Sequence, residues 1–484
     1  MMNERVAQDP ACRDSRPLPR MLVAIASYGS SNDRHLERII NEYRSMAFAV
    51  DIVVLSNIDK RAKFGTDCIV GTPSRNPWSL PFAHKKLFAE RRDQYDLFIY
   101  SEDDILVTER NISAWLEVMR VLPENEIAGF LRVEYGEDGQ RNYPDVHAHF
   151  HWDAASVRRR GDYVLAHFTN EHAACFILTR EQLRGALRSG RFDVAPHEGK
   201  YDLLCTAATD PYTQCGLTKF IPVSHLEEFT VHHLSNKYVG RVGAIPEEFD
   251  RQTGALLQIA EQGSRPPSLL ASETKLPRGA YSKDYYEPAV PQVLERIPYA
   301  ARSVLSIGCG SGSTESWLVH QGIAVTAIPL DPVICRGAAE KGVEIIEGDL
   351  RGARRRLEGR QFDCILMLKV LHLFPKPVDV LSSFGDLLAP NAPIIIQSPN
   401  MSGLPAIWRQ LRNGRIEVPR TFEIANAHFS DRGNVEKWCR KAGLSSVRTV
   451  GVPHRRAAAL EDIVPAIAKL ALSSEMISIA RREQ

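Results

Sequence analysis

At 484 residues the chain is too long for one ordinary hydrophobic core, and its 44% hydrophobic content supports two or three globular units. Lysine and arginine number 60 against 59 acids, a net charge of +1, which excludes a generalised polyanion-binding surface and gives no sign of a nucleic-acid partner. The 9 cysteines are scattered and never in Cys-x-x-Cys spacing, so they read as reduced thiols of a cytoplasmic protein without a zinc site.

Residues 1–19 are polar and are expected to form a flexible extension, and the first hydrophobic run, 21–26, is too short for a signal peptide or membrane span. Residues 21–27 predict a buried strand, 33–46 an amphipathic helix with Leu36, Ile39, Ile40 and Tyr43 on one face, and 50–56 a second apolar strand. Strand, helix, strand without polar alternation means a parallel sheet covered on both faces. An apolar strand at 97–100 then delivers Glu102, Asp103 and Asp104 to its carboxyl end, where parallel sheets bind their ligands. Clustered carboxylates repel unless a cation or solvent compensates, and a hard divalent ion is a natural partner, filling its other positions with water and phosphate. His147, His149 and His151 alternate as on one exposed strand face.

Residues 21–238 resemble the GT-A class of nucleotide-sugar glycosyltransferases. The acids at 102–104 stand where that class has its Asp-x-Asp motif, residues 76–88 where a helix lies beside the donor, and 173–180 where a strand turns into a helix near the acceptor. Phe-Thr-Val-His-His at 229–233 matches the stretch that supplies a late histidine. The resemblance implies a nucleotide-sugar donor, a glycan or small-molecule acceptor, and Mn2+ or Mg2+ held by Glu102, Asp104 and His232. Strand alternation turns only one of His232 and His233 inward. An inverting enzyme needs a carboxylate to take the acceptor proton. Glu198, Asp202 and Asp210, between the acceptor-side helix and the late histidines, are the candidates.

A Gly/Ser/Pro-rich stretch at 263–283 marks the principal linker. Beyond it, Val-Leu-Ser-Ile-Gly-Cys-Gly-Ser-Gly at 304–312 is an apolar strand running into a three-glycine turn, where a Cβ would block close approach of a ligand. Further strands at 324–330 and 362–368, with Glu-Gly-Asp at 347–349 between them, give the alternation of a doubly wound sheet.

These residues, over 285–453, resemble the class I S-adenosylmethionine-dependent methyltransferases. The later matches are Leu-Leu-Ala-Pro at 387–390, Ser-Pro-Asn at 398–400, His-Phe-Ser at 428–430 and Ala-Gly-Leu at 442–444. The resemblance implies that Gly308, Cys309, Gly310 and Gly312 cradle S-adenosylmethionine and that Asp349 and Leu350 face its adenine. Ser306 and Pro329 stand where the family has acids, and Asp331 is expected to hold the ribose in place of an acid at 329. Leu460, Ile463, Ile467 and Leu470, at helical spacing, predict a docking helix in a tail over 454–484.

The expected fold is therefore α/β, two doubly wound Rossmann-like domains, GT-A-like over 20–262 and methyltransferase-like over 284–453, joined by the 263–283 linker. The expected function is a bifunctional transferase acting on a glycan or small molecule. The alternative is a single-activity protein in which one domain is a non-catalytic binding or scaffolding module.

Overall fold

The structure, a computed structural model, describes residues 18–414, 418–452 and 466–482. Most of the expected N-terminal extension, and residues 454–465 of the expected tail, lie outside the described residues.

The N-terminal unit is built on a five-stranded sheet. Its order is Cys175–Thr179, Leu97–Glu102, Arg20–Ala26, Ala49–Ser56, Asp67–Val70, and only the first of these runs antiparallel. Met21 through Ile25 are fully buried because both sheet faces are covered, as their unbroken apolar run requires. The helix Asp33–Ser45 packs Leu36, Ile39, Ile40 and Tyr43 onto one face, the four residues expected. Two four-stranded sheets complete the unit, and the second pairs Thr230–His233 with Leu131–Tyr135 and Ile105–Leu106.

The C-terminal unit is one seven-stranded sheet, ordered Glu344–Ile345, Ala324–Pro329, Ser303–Cys309, Cys364–Leu368, Pro393–Pro399, Glu475–Arg482, Leu444–Val452. The Glu475–Arg482 strand runs against both neighbours and pairs with Pro393–Pro399 along its whole length. This corrects the boundary at 453 and the helical tail. The described tail holds a short helix, Ala466–Ala471, followed by a strand that lies inside the sheet. Met476, Ile477, Ser478 and Ala480 are buried there, a near-continuous run of a strand covered on both faces.

The expected linker is packed between the two units. Ser272, Thr274 and Lys283 are buried, and Val333 of the C-terminal unit joins a core cluster with Trp152, Phe168 and Leu256. His147, His149 and His151 do not form an exposed strand face. They lie in the turn before the Trp152–Arg160 strand, partly buried, and the His151 ring stacks on Tyr285 at 4.4 Å.

Candidate functional site

Two clefts lie at the carboxyl ends of parallel strands. In the N-terminal unit Glu102 ends its strand opposite Ala26, the Asp103 amide makes the last bond to that neighbour, donating to the Ala26 carbonyl at 3.1 Å, and the chain turns at Asp103 and Asp104. The pocket above, about 280 Å3, is walled by Tyr28, Asn32, Trp78, Glu102, Asp103 and Leu204. Tyr28 and Trp78 are 52% and 53% exposed, two aromatic faces left open to solvent. Trp78 is fixed by the 3-10 helix Pro77–Phe82, whose first turn is capped by Asn76 accepting the Trp78 amide at 3.0 Å.

The three acids diverge. Asp103 accepts from the Ser27 hydroxyl at 2.6 Å and from Asn32 at 2.8 Å. Asp104 turns the other way, to His233 Nε2 at 3.0 Å, while His233 Nδ1 meets Glu134 at 2.7 Å. The imidazole thus bridges the two carboxylates, and the Ser235 hydroxyl also reaches Nε2, at 2.9 Å. Burial opposes the charge on Asp104, yet the His233 hydrogen bond holds its carboxyl below the usual range. Glu102 has the opposite fate: burial, and then the Asp104 charge, push it up to about 8, and its Oε1 has no partner among the described residues.

The expected metal set of Glu102, Asp104 and His232 is corrected by this geometry. His232 bonds Asn236 at 3.1 Å and stands against Tyr135, so the inward histidine is His233. Among the described residues no group of three or more His, Cys, Asp or Glu side chains is placed to hold a metal ion. That donor set does not fit a resident metal, and no step is drawn through one.

Nor do Glu198, Asp202 and Asp210 converge on this pocket. Asp202 caps the helix Leu203–Thr213 by accepting the Cys205 amide at 2.9 Å. Asp210 is fully buried in an ion pair with Lys85, and His197 approaches it at 3.3 Å. Glu198 pairs with Arg278 at 3.0 Å and lines a different cavity, beside Lys200 and Glu273. The ion-pair partners of Asp210 and Glu198, Lys85 and Arg278, lie far away in sequence, so the pattern of the chain does not reveal them.

In the C-terminal unit the glycine turn forms as expected. Gly308 and Gly312 have φ of 83° and 80°, open to glycine at little strain. A Cβ at Gly308 would strike Val370, at Gly310 the Tyr285 carbonyl, and at Gly312 Ala338. Cys309 is buried at the strand end. Ser306 donates to Glu315 at 2.5 Å, both buried, so the carboxylate missing from the strand arrives from the Ser313–His320 helix. Asp331 Oδ1 accepts the Val333 and Ile334 amides at 2.8 and 2.9 Å, and Oδ2 has no partner among the described residues. Burial pushes Asp331 up to about 6 against those two amides. Asp349 is exposed and caps the Leu350–Arg356 helix through the Gly352 amide at 2.6 Å, with Leu350 as the first helical residue.

Residues 278–449 match the model of a methyltransferase domain family. The C-terminal half is an S-adenosylmethionine-dependent methyltransferase domain. The chain is thereby a transferase; residues 1–277 lie outside that match. It is 27% identical over 207 residues to a ubiquinone biosynthesis O-methyltransferase of Xylella fastidiosa, covering 38% of this chain and 83% of that protein. A trans-aconitate 2-methyltransferase of Mycobacterium tuberculosis is 30% identical over 130 residues, and the match spans 26% of this chain and 47% of the relative, about half its length. A solved SAM-dependent methyltransferase of Thermotoga maritima, a possible histamine N-methyltransferase, is 17% identical over 40% of this chain and 86% of its own, with a TM-score of 0.31.

The backbone of the methyltransferase domain has a donor cradle, and the segment around Leu269, Lys283 and Tyr285 is hydrogen-bonded across it. Gly308, Gly310, Pro329, Leu330 and Asp331 are all buried by the chain itself. The glycine turn and the strand ends at Leu330 and Leu368 are the places for S-adenosylmethionine in this domain, and the chain itself makes hydrogen bonds to each of them. Tyr285, Lys283 and Leu269, which make those bonds, carry no mark in the sequence, since their role depends on where the chain crosses the sheet.

Proposed function

We propose that the chain is a two-domain transferase whose N-terminal unit moves a sugar from a nucleotide donor and whose methyltransferase domain methylates a glycan or small-molecule acceptor. The observation that carries the N-terminal half is the pocket at the carboxyl ends of Arg20–Ala26 and Leu97–Glu102, which joins two open aromatic faces to two wall carboxylates. Trp78 and Tyr28 suit a flat base or sugar ring. The doubly wound sheet and the position of the acids support the resemblance to the GT-A class. Mn2+ or Mg2+ enters as company of the diphosphate, because one or two protein carboxylates are the share such ions take in phosphate sites, and Glu102 and Asp103 are the pair on the wall.

Calorimetric titration of the full chain with uridine and guanosine diphosphates, with and without Mn2+, tests this reading. One of the two should bind, and Trp78→Ala should weaken it about tenfold, the measure of one aromatic stacking partner removed. No binding of either diphosphate under either condition overturns the sugar-donor reading. A second reading is favoured by the closed glycine cleft: a single-activity protein in which the methyltransferase domain serves as a scaffold. It gains if the diphosphate binds while no condition gives methyl-donor binding.

A further inference from the structure

The methyl-donor cleft is bounded by three strand ends, and one stretch of the chain caps all three. The Leu269 amide donates to the Leu330 carbonyl at 2.7 Å, at the end of Ala324–Pro329. The Ser311 amide, in the glycine turn after Ser303–Cys309, donates to the Tyr285 carbonyl at 2.8 Å. The Lys283 ammonium donates to the Leu368 carbonyl at 2.9 Å, at the end of Cys364–Leu368. Beneath this cover Tyr285 is 0% and Asp331 2% exposed. Buried polar atoms are almost always paired, and leaving one unpaired forfeits its hydration. Asp331 Oδ2 is such an atom. It stands at the end of the second strand of a sheet of the type that binds nucleotides, where an acid meets ribose hydroxyls.

The covering stretch is held from the N-terminal unit. The Tyr285 ring stacks on His151 with an interplanar angle of 5°, and the Tyr285 amide donates to the Ala148 carbonyl at 2.8 Å. Glu273 pairs with Lys200 at 2.9 Å and Arg278 with Glu198 at 3.0 Å. Lys200 and Glu198 sit just ahead of Leu204, which walls the Tyr28 and Trp78 pocket.

We propose that residues 269–287 are an inhibitory strap, latched by the N-terminal unit, and that the methyltransferase domain admits its methyl donor only when the strap lifts and frees Asp331 for the ribose. The strap needs the methyltransferase domain, and it stands apart from the sugar-donor reading.

The test uses the full chain, S-adenosylhomocysteine as the probe, calorimetry for binding, and hydrogen exchange of residues 269–287 for the strap. Glu273→Gln combined with Arg278→Ala opens both ion pairs of the latch. The double variant should exchange faster in the strap before any ligand is added, and it should bind the probe at least tenfold more tightly than the parent. Adding Asp331→Ala should remove that gain. Should the double variant fail to fold, His151→Ala, which removes the ring stacked on Tyr285 and its contact with the His149 carbonyl, carries the same expectation. Parent binding as tight as the variant's overturns the proposal. Faster exchange without tighter binding does too, as does a gain that survives Asp331→Ala. Nucleoside diphosphate titration on the same samples reports the N-terminal pocket independently, so failure of the strap and failure of the sugar-donor reading are told apart.

Discussion

The N-terminal and C-terminal clefts occupy the same topological position, outside the carboxyl ends of parallel strands, and they are in opposite states. Above Ala26 and Glu102 two aromatic rings stand open to solvent around a pocket of about 280 Å3. Above Gly308 and Asp331 the chain's own backbone completes the hydrogen bonding of the strand ends. Sheet topology therefore fixes where a cleft can form, because only there do strand ends leave polar groups without a ladder partner. What closes a cleft is the path of the segment that crosses it. The carboxylates do not divide along the same line. Asp103 and Asp104 are hydrogen-bonded from within by Ser27, Asn32 and His233, whereas Glu102 and Asp331 each keep one buried oxygen without a partner among the described residues.

The largest expected effect breaks the internal hydrogen bonding of the open site. His233→Ala leaves Asp104 and Glu134 buried without the imidazole that bridges them. Urea unfolding should show a loss of about 3 to 5 kcal/mol, since two buried carboxylates each lose a hydrogen bond worth about 1.5 to 3 kcal/mol. A loss under about 1 kcal/mol would mean that the two carboxylates find water or each other, and the contrast with Asp331 would fall.

Next comes the pH dependence of the closed site. The Asp331 carboxyl is pushed up to about 6 in the folded chain and has its ordinary value near 4 when unfolded. Between those two values the folded state holds a proton that the unfolded state has released, so stability falls as pH rises from about 4 to beyond 6. Two pH units correspond to roughly 3 kcal/mol, and Asp331→Asn should flatten that slope. An unchanged slope in the variant would show that Asp331 is hydrated and the cleft open.

A smaller effect compares glycines. Gly310→Val should destabilise by about 1 to 3 kcal/mol, since its side chain meets the Tyr285 carbonyl and the backbone must shift. Gly29, beside the open pocket, has φ of 65° with nothing near its Cβ direction, so Gly29→Ala should cost only about 1 kcal/mol of left-handed strain. Equal costs, read by thermal unfolding, would remove the distinction between a packed and an open turn. The smallest effect is on Trp78. Because its ring is half exposed, Trp78→Ala should alter stability by about 0.5 kcal/mol or less while weakening nucleotide binding.

The framework of both sheets was legible. The unbroken apolar runs at 21–27 and 304–309 can only be strands buried on both faces, and the Leu36, Ile39, Ile40, Tyr43 stripe can only be a helix packed on one. The carboxyl-end placement of Glu102 and the glycine turn followed from the same patterns. Partner choice was not legible. Alternation showed that one of His232 and His233 faces inward, but both parities satisfy the strand, and only pairing with Ile105–Leu106 and Leu131–Tyr135 brings His233 between Asp104 and Glu134. Glu315, which answers Ser306 across nine residues of strand, turn and helix, was invisible for the same reason.

Residue periodicity and backbone preference act over a few positions, so the sequence by itself determined the strands, the helices, the glycine turn and the family of the C-terminal half. Three things needed the assembled chain: the seventh strand at Glu475–Arg482, the inward histidine, and the closure of the glycine cleft by Leu269, Lys283 and Tyr285. Each depends on contacts between segments distant in the chain, where a hydrogen bond or an ion pair forms only after packing has brought its two ends to within about 3 Å.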